Sequence, residues 1–559
     1  MHSYALGLDF GTLSVRALFL DLQTGQTHVP AVFEYPHGVM RETLPDGTVL
    51  PPDFALEHPQ DFRDGLVFVV RNGMKMLGLA PEQVVGIGVD VTSATVLPVD
   101  EKGEPLCLKS EYAGRPQAWM KLWSHHAAGA QAQRLQQVAM ERKEPWLSYY
   151  GGWINSELLI PKAVELAQED PETFEAAYTI LDAADWIVWE LTGQLRRSAA
   201  LAGCNSLYRP DTGFPSRDFF QQVGPEAARL PDKLKGAVLG LGECAGGLLP
   251  AMAEALGLVA GTPVAVATID SHAAVIGCGG VYAGDVVSVI GTSAIYMLNS
   301  DSPEGIEGVQ SCAWEANVPG LYGLEAGQNC VGEALEWFVC NCVPQSYTDA
   351  ARAEGKNIHQ YLTEKAAGLK PGESGLLALD WFHGVRAPLM DFSLTATLVG
   401  LTAQTRPEEI YRALLEAVAF GGRRIVEQFL QAGLPVKRIL AAGGIPNKNP
   451  LMMQILADVL QRDIYLCPTT QGSALGSALL GAAVAGETCT KCKNLAELAQ
   501  KYTQLSEKVY HPREENVGIY RQLYAQYLRL SEQMSAMDSV CRKLRALRME
   551  QQKHLGEKE

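Results

Sequence analysis

The sequence predicts an α/β protein with two domains, and three observations carry that prediction. A chain of 559 residues exceeds the roughly 250–300 residues at which single hydrophobic cores stop growing. Apolar runs of strand length alternate with segments of helical periodicity. A strand–turn–strand plan recurs along the chain, which points to an internal duplication.

The first copy of that plan is LGLDFGTLSVRALFLDLQTG from Leu6, with Leu6, Leu8 and Phe10 before the turn and Val15, Leu18 and Phe19 after it. VVGIGVDVTSATVLPVDEKGEPL from Val84 and DVVSVIGTSAIYMLNSD from Asp285 repeat it, and all three are expected to be hairpins. PVAVATIDSHAAVIGCG from Pro263 has the strand and the acid. Helical patterns lie at residues 161–166, 171–177 and 408–430. From Ile439 the chain reads as a strand, a Gly443-Gly444 turn and a helix with Asn449 as N-cap and Pro450 in its first turn; Leu451, Ile455, Leu456 and Val459 form its buried face. GSALGSALLGAAVAG, from Gly472, is a close-packed small-residue helix with no catalytic role expected. The domain change is placed between 255 and 285, giving domains over 1–277 and 285–486 and an extension over 487–559. In that extension Ile519, Leu523, Tyr527, Leu530 and Met534 keep the spacing of a docking helix, and the polar end QQKHLGEKE is expected to fray.

Composition excludes several function classes. The 46 basic and 63 acidic residues leave a net charge of −17, which repels phosphate backbones and argues against nucleic acid as a partner. No apolar run is long enough to span a bilayer, so no membrane partner is expected. Met1 leads into the strand pattern at Ala5 without a basic segment, an apolar region or a cleavage site, and a cytoplasmic location is expected. The 12 cysteines are scattered, as reduced thiols are. Cys340 and Cys342, and Cys489 and Cys492, are close pairs, but neither has a second Cys or His pair at zinc-site spacing, so both are read as ordinary thiols.

A net-negative protein needs local devices to hold a phosphorylated ligand. At Gly11-Thr12 the glycine admits close backbone approach, turn N–H groups can converge on one anion and the hydroxyl adds a donor. Asp9 beside it is suited to Mg²⁺ bound through water, because that ion keeps part of its hydration shell. Alone, the pair reads as well as a plain hairpin turn. Gly291-Thr292-Ser293 is a second such turn, and two facing turns can clamp a polyphosphate. Gly443 and Gly444 leave room for the flat ring of an adenosine or mark a plain helix entry. Asp9-Phe10-Gly11 also spells the magnesium motif of protein kinases, yet the loops that motif requires upstream have no room before it. The P-loop pattern is absent.

Ten stretches then combine into a resemblance: DFGTLSVRA (9–17), VDVTSATVLPVD (89–100), YYGGWINSELLIPKAVEL (149–166), DAADWIVWELTG (182–193), IDSH (269–272), VIGTSA (289–294), GLEAGQ (323–328), LDWFHG (379–384), ATLVGLTAQTRPEEIYRALLEAVAFGGR (396–423) and AAGGIPNKN (441–449). In this order they resemble the FGGY carbohydrate kinases of the actin-like ATPase superfamily over nearly the whole chain. The resemblance implies two ribonuclease-H-like domains around an interdomain cleft that closes over ATP, Mg²⁺ and a ketose. It implies cofactor binding by Gly11, Thr12, Arg16, Gly291, Thr292, Ser293, Gly443, Gly444 and Asn449, and magnesium at Asp9 through water. It implies substrate binding by Ala94, Asn205, Asp270 and Glu325, with Asp270 as the general base. An acid closing the apolar strand VAVATI can indeed take a hydroxyl proton, although a helix-capping Asp has the same pattern. GLEAGQ, LDWFHG and YYGGWINSE point to the pentulose branch, with L-ribulose converted to its 5-phosphate as the expected reaction.

The chain departs from the family pattern in places. Asn205, in Ala202-Gly203-Cys204-Asn205-Ser206-Leu207, stands where a sugar-contacting Lys is usual, and His125 stands where an Asp is usual. His125 and His126 are read as polar helix residues. These departures bear on which sugar is used and leave phosphoryl transfer intact. Other family sugars such as D-ribulose or xylulose remain alternatives, as does a non-kinase ATPase. A chaperone-like ATPase requires a β domain after the core, where only about 70 residues of mainly helical pattern follow. A sugar-responsive regulator requires a DNA-binding module. The expected partners are a ketose and ATP, with a homodimer left open.

Overall fold

The computed structural model describes residues 2–467, 469–503 and 505–556. Its first large sheet contains β1 (Tyr4–Phe10), β2 (Ser14–Asp21), β3 (Thr27–Glu34), β4 (Val84–Val91) and β5 (Pro263–Ala265) in the order β5-β4-β1-β2-β3, with β6 (Thr268–Ile269) also beside β4. The second contains β7 (Asp285–Ile290), β8 (Ala294–Ser300), β9 (Tyr322–Gln328), β10 (Arg438–Ala442) and β11 (Ile464–Leu466) in the order β11-β10-β7-β8-β9. In both sheets three strands meander antiparallel and two more add in parallel. This shared order is the duplication expected from the recurring strand plan. β4 is buried along nearly its whole length, as a parallel strand covered on both faces should be.

One expected hairpin is not formed. The strand Val96–Val99 leaves the sheet of β4 and pairs with Thr179–Asp182 in a separate sheet. The reason is that both edges of β4 are taken, one by β1 and the other by β5 and β6, so the following strand has no edge to join. Ala94, at φ +48°, turns the chain away.

Two helices cross between the sheets. α1 (Asp270–Gly277) starts at the first sheet, yet Val275 and the adjoining Cys278 pack with Val287, Met297 and Leu440 of the second. α2 (Gly472–Ala485) follows the second sheet, yet Ala474, Ala478 and Leu479 pack with Ala5, Leu18 and Leu20 of the first. Small residues permit this approach of backbone to backbone: a Cβ on Gly88 would lie 1.9 Å from the Ser477 carbonyl oxygen, and one on Gly476 would lie 1.8 Å from that of Ala273.

The other helices follow the sequence pattern with local differences. Asn449 caps the helix Pro450–Leu460, its Oδ1 accepting from Met452 N at 2.9 Å, but a short helix Gly444–Lys448 replaces part of the expected turn. In the helix Glu514–Ser535 the fully buried face is Tyr520, Tyr524, Tyr527 and Ser531, whereas Ile519 is 43% exposed. Tyrosine wins this face because its ring fills the core while its hydroxyl finds a partner: Tyr520 meets Arg412 and Glu416, and Tyr524 donates to Glu427 at 2.6 Å. The polar end is helical as far as Gly556, anchored near its start by an Arg542–Asp391 ion pair; residues 557–559 lie outside the described residues. No helix among the described residues is long and apolar enough to cross a membrane.

Candidate active site

A row of charged side chains crosses the end of the first sheet. Asp9 on β1 stands opposite Asp90 on β4 and Arg16 on β2, and Thr268 of β6 stands opposite Asp90, which brings Asp270 to the same end. Arg16 Nε approaches Asp9 Oδ2 at 3.5 Å, and Arg16 Nη1 donates to Gln471 Oε1 at 3.4 Å. Ser477, on α2, donates to Asp90 Oδ2, while Asp90 Oδ1 has no hydrogen-bond partner among the described residues.

Burial pushes all three acids above the usual carboxylate range. For Asp9, desolvation outweighs the opposing charge of Arg16. Asp90 rises well above its ordinary value through desolvation and then the charge of Asp9. Asp270 is pushed up to about 7, by desolvation first and the charge of Asp9 second. Buried carboxylates gathered at one sheet end, with the charge of Asp9 raising both Asp90 and Asp270 and one Asp90 oxygen unpartnered, form a donor set suited to a hard divalent cation.

The second sheet meets this row through Glu325, on β9. His272, in the first turns of α1, places Nε2 at 3.1 Å from Glu325 Oε2 and Nδ1 at 3.0 Å from the Ala316 carbonyl. Burial favours a neutral Glu325, but the His272 hydrogen bond and the charges of His272 and Arg386 win, and its carboxyl lies below its usual range. Arg386 Nη2 reaches Glu157 Oε1 at 3.6 Å, so a residue from the segment between β9 and β10 pairs with one inserted in the first half. Ala94 is buried, and its carbonyl accepts from Lys162 Nζ at 2.7 Å; the same ammonium donates to the Leu122 carbonyl at 2.8 Å. Asn205 is buried, donating from Nδ2 to Asp182 Oδ1 at 2.8 Å and accepting from Ser93 Oγ at 3.4 Å.

Both glycine turns are tight. Gly11 N donates to Ser14 O at 2.9 Å, and Thr12 Oγ1 accepts from Trp123 Nε1 at 3.3 Å. Gly291 N donates to Ser293 O at 2.8 Å, and Val331 N donates to Thr292 O at 2.7 Å. Gly443, at φ +104°, lies against β7: a Cβ there would be 2.5 Å from Ile290 O, next to the Gly291 turn. Gly444 faces open space. Asn449 is engaged in its helix cap, with Nδ2 turned to Thr363 Oγ1 at 3.4 Å.

Several groups in this region were missed in the sequence. Asp90 carried a legible signal, a second acid in a buried strand like Asp9. Lys162, His272 and Arg386 lay in or beside quoted motifs without a role. Ser477 had no signal. Neither His125 nor His126 is a helix residue: both precede the helix Gly129–Arg142, and His125 is fully buried in a loop, 2.9 Å from Glu165 Oε2, a carboxylate shared with Lys121 at 2.8 Å. Desolvation holds the His125 imidazole down at about 4.

The N-terminal domain of the FGGY family of carbohydrate kinases matches residues 4–277, and the C-terminal domain of the same family matches residues 286–485. The chain is 43% identical to a ribulokinase of Bacillus licheniformis, covering 96% of this chain and 98% of the relative. It is 39% identical to a ribulokinase of Mycolicibacterium smegmatis, covering 98% of this chain and 96% of the relative. A ligand-bound xylulose kinase of Lactobacillus acidophilus superposes with a TM-score of 0.79 at 18% identity, over 96% of this chain and 99% of the other. A xylulose kinase of Rhodospirillum rubrum gives 0.78 at 23% identity, over 94% and 98%. At such identities the two structures speak for the fold alone.

Proposed function

Because the chain belongs to the FGGY family of carbohydrate kinases, we propose that it transfers the γ-phosphate of ATP to the terminal C5 hydroxyl of L-ribulose, with Mg²⁺ as cofactor. The observation that carries this reading is Asp270, directly after the strand whose Thr268 stands opposite Asp90 and under the charges of both Asp9 and Glu325, with its carboxyl at about 7. A base held there can take the hydroxyl proton as the sugar oxygen attacks phosphorus. Glu325, ionised and steadied by His272, accepts from sugar hydroxyls, and the turn of Ala94, seated by Lys162, lines the same pocket. Asn205 offers the sugar a neutral amide that is already shared with Asp182 and Ser93. The Gly11-Thr12 and Gly291-Thr292-Ser293 turns hold the phosphates from opposite halves, with Arg16 beside the first, and the Gly443-Gly444 turn takes the adenosine. Asp9, through water, and Asp90 beside it fit Mg²⁺, which when bound supplies charge neutralisation at the transferring phosphoryl group.

In this reading residues 1–277 carry the sugar site and first phosphate turn, residues 285–486 carry the second turn and the adenosine pocket, and residues 487–559 are the helical extension and polar tail. The ribulose assignment draws on the full-length relatives named ribulokinase. Twelve free cysteines suit a cytoplasmic enzyme. The test is ADP release with L-ribulose, D-ribulose, L-xylulose, D-xylulose, ribitol and glycerol. L-Ribulose is expected to give the highest kcat/KM, and Asn205→Lys to raise it. A preference for glycerol refutes the pentulose assignment and leaves the kinase standing.

A further inference from the structure

A second group of metal-ligating side chains lies outside the row of aspartates. Cys330 lies in the short segment between β9 and the helix Gly332–Cys342, Glu333 lies in the first turn of that helix, and His383 belongs to the LDWFHG loop. One ligand atom from each lies within 4.8 Å of the other two. His383 Nε2 is 2.9 Å from Glu333 Oε1. Cys330 is 1% exposed, while the other two side chains are about half exposed, so the group has a closed thiol end and an end open to water.

The placement is held from several sides. Cys330 and Glu333 are three residues apart where the helix begins, so they can face one point. Asn329 Nδ2 donates to the His383 carbonyl at 3.0 Å, and the ring of Phe382 packs on Trp337 of the same helix at 4.8 Å between centroids. Gly384, at φ +74°, lets the loop turn directly after His383, where a Cβ would lie 2.4 Å from Phe392 Cα. The thiol is pushed up to about 12 by desolvation first and then by the nearby Glu333 carboxylate, and a cation between them relieves both.

We propose that Cys330, Glu333 and His383 form a site for a zinc-type divalent transition metal, with water as fourth ligand. Thiolate, imidazole and carboxylate are the donor mixture Zn²⁺ takes, at about 2.0–2.3 Å, whereas Mg²⁺ prefers the all-oxygen row around Asp9. Binding ionises Cys330, so affinity rises with pH. The site adjoins Val331 and Gly332, whose N–H groups bond Thr292 O and Gly291 O at 2.7 and 3.0 Å, so an ion there ties the helix start and the LDWFHG loop to the second glycine turn.

Titration of the full chain with Co²⁺, in excess Mg²⁺, tests the site. The expected result is one Co²⁺ per chain with a near-ultraviolet thiolate-to-cobalt absorption that Zn²⁺ displaces. Cys330→Ser is expected to abolish the absorption, and Glu333→Gln and His383→Gln, both at half-exposed positions, to weaken Co²⁺ binding by about tenfold or more. A Cys340→Ser/Cys342→Ser variant should keep both. No absorption in the wild-type chain, an absorption that survives Cys330→Ser, or affinities within about twofold of wild type in both exposed variants would overturn the proposal.

Discussion

At the end of β6, burial and the neighbouring Asp9 hold the Asp270 carboxyl at about 7, where a free aspartate has about 3.9. A base works only when deprotonated, so raising the group moves the acid limb of activity upward. In the proposed reaction kcat/KM should therefore fall as pH drops below about 7 and level off above it. Asp9→Asn removes the second cause of the shift and should move that limb to lower pH while weakening Mg²⁺ binding; a limb that stays in place would separate the two acids. Asp270→Asn keeps the shape of the pocket and removes the proton acceptor, with an expected loss of about 10²- to 10⁴-fold in kcat and nucleotide affinity retained. Turnover within a few-fold of wild type would end the base assignment. Lys162 acts through others: Lys162→Met strands the Ala94 and Leu122 carbonyls without their donor, at about 1–3 kcal/mol each. The expected outcome is a lower Tm and a raised KM for sugar, with KM for ATP little changed.

The crossing of α1 and α2 depends on side chains that are absent. In Gly476→Ala the new methyl would lie 1.8 Å from the Ala273 carbonyl, backbone against backbone, so no rotamer relieves it. Overpacking of this kind costs about 1–3 kcal/mol or more, and calorimetry should show a lowered Tm. The two glycines after β10 separate in the same way. Gly443→Val forces a Cβ onto Ile290 O and a left-handed backbone, so it should unfold the turn. Gly444→Val meets open space and should leave Tm near wild type while raising KM for ATP more than KM for sugar. A rise in sugar KM alone would move the adenosine pocket elsewhere.

Across the whole molecule, α1 and α2 exchange between the two sheets, and Arg386 and Glu157 meet at 3.6 Å from opposite halves beside Glu325. If the halves close on substrate, this pair is positioned to report it. Small-angle scattering should show a smaller radius of gyration with sugar and a non-hydrolysable ATP analogue together. Arg386→Met should blunt that compaction and raise the sugar KM more than the ATP KM. Unchanged scattering and unchanged sugar KM in the variant would remove the pair from closure.

The strand patterns, both glycine turns and the acids Asp9 and Asp270 were legible in the sequence, because a hairpin, a helix cap and an acid ending an apolar run are set by residues next to one another. The resemblance to a family then arranged these pieces into halves. Other features were decided only by residues far apart in the chain. Whether the strand after β4 could pair with it depended on β1, β5 and β6 filling both edges. The buried face of Glu514–Ser535 was chosen by Arg412, Glu416 and Glu427, which receive its tyrosine hydroxyls. His125 became a core residue because Glu165 and Lys121 close around it. The height of Asp270 depends on Asp9, and Asp90 accepts from Ser477, which comes from the second half of the chain. Burial and charge coupling sum over neighbours in space, so a local pattern can name an acid but cannot say how readily it gives up its proton.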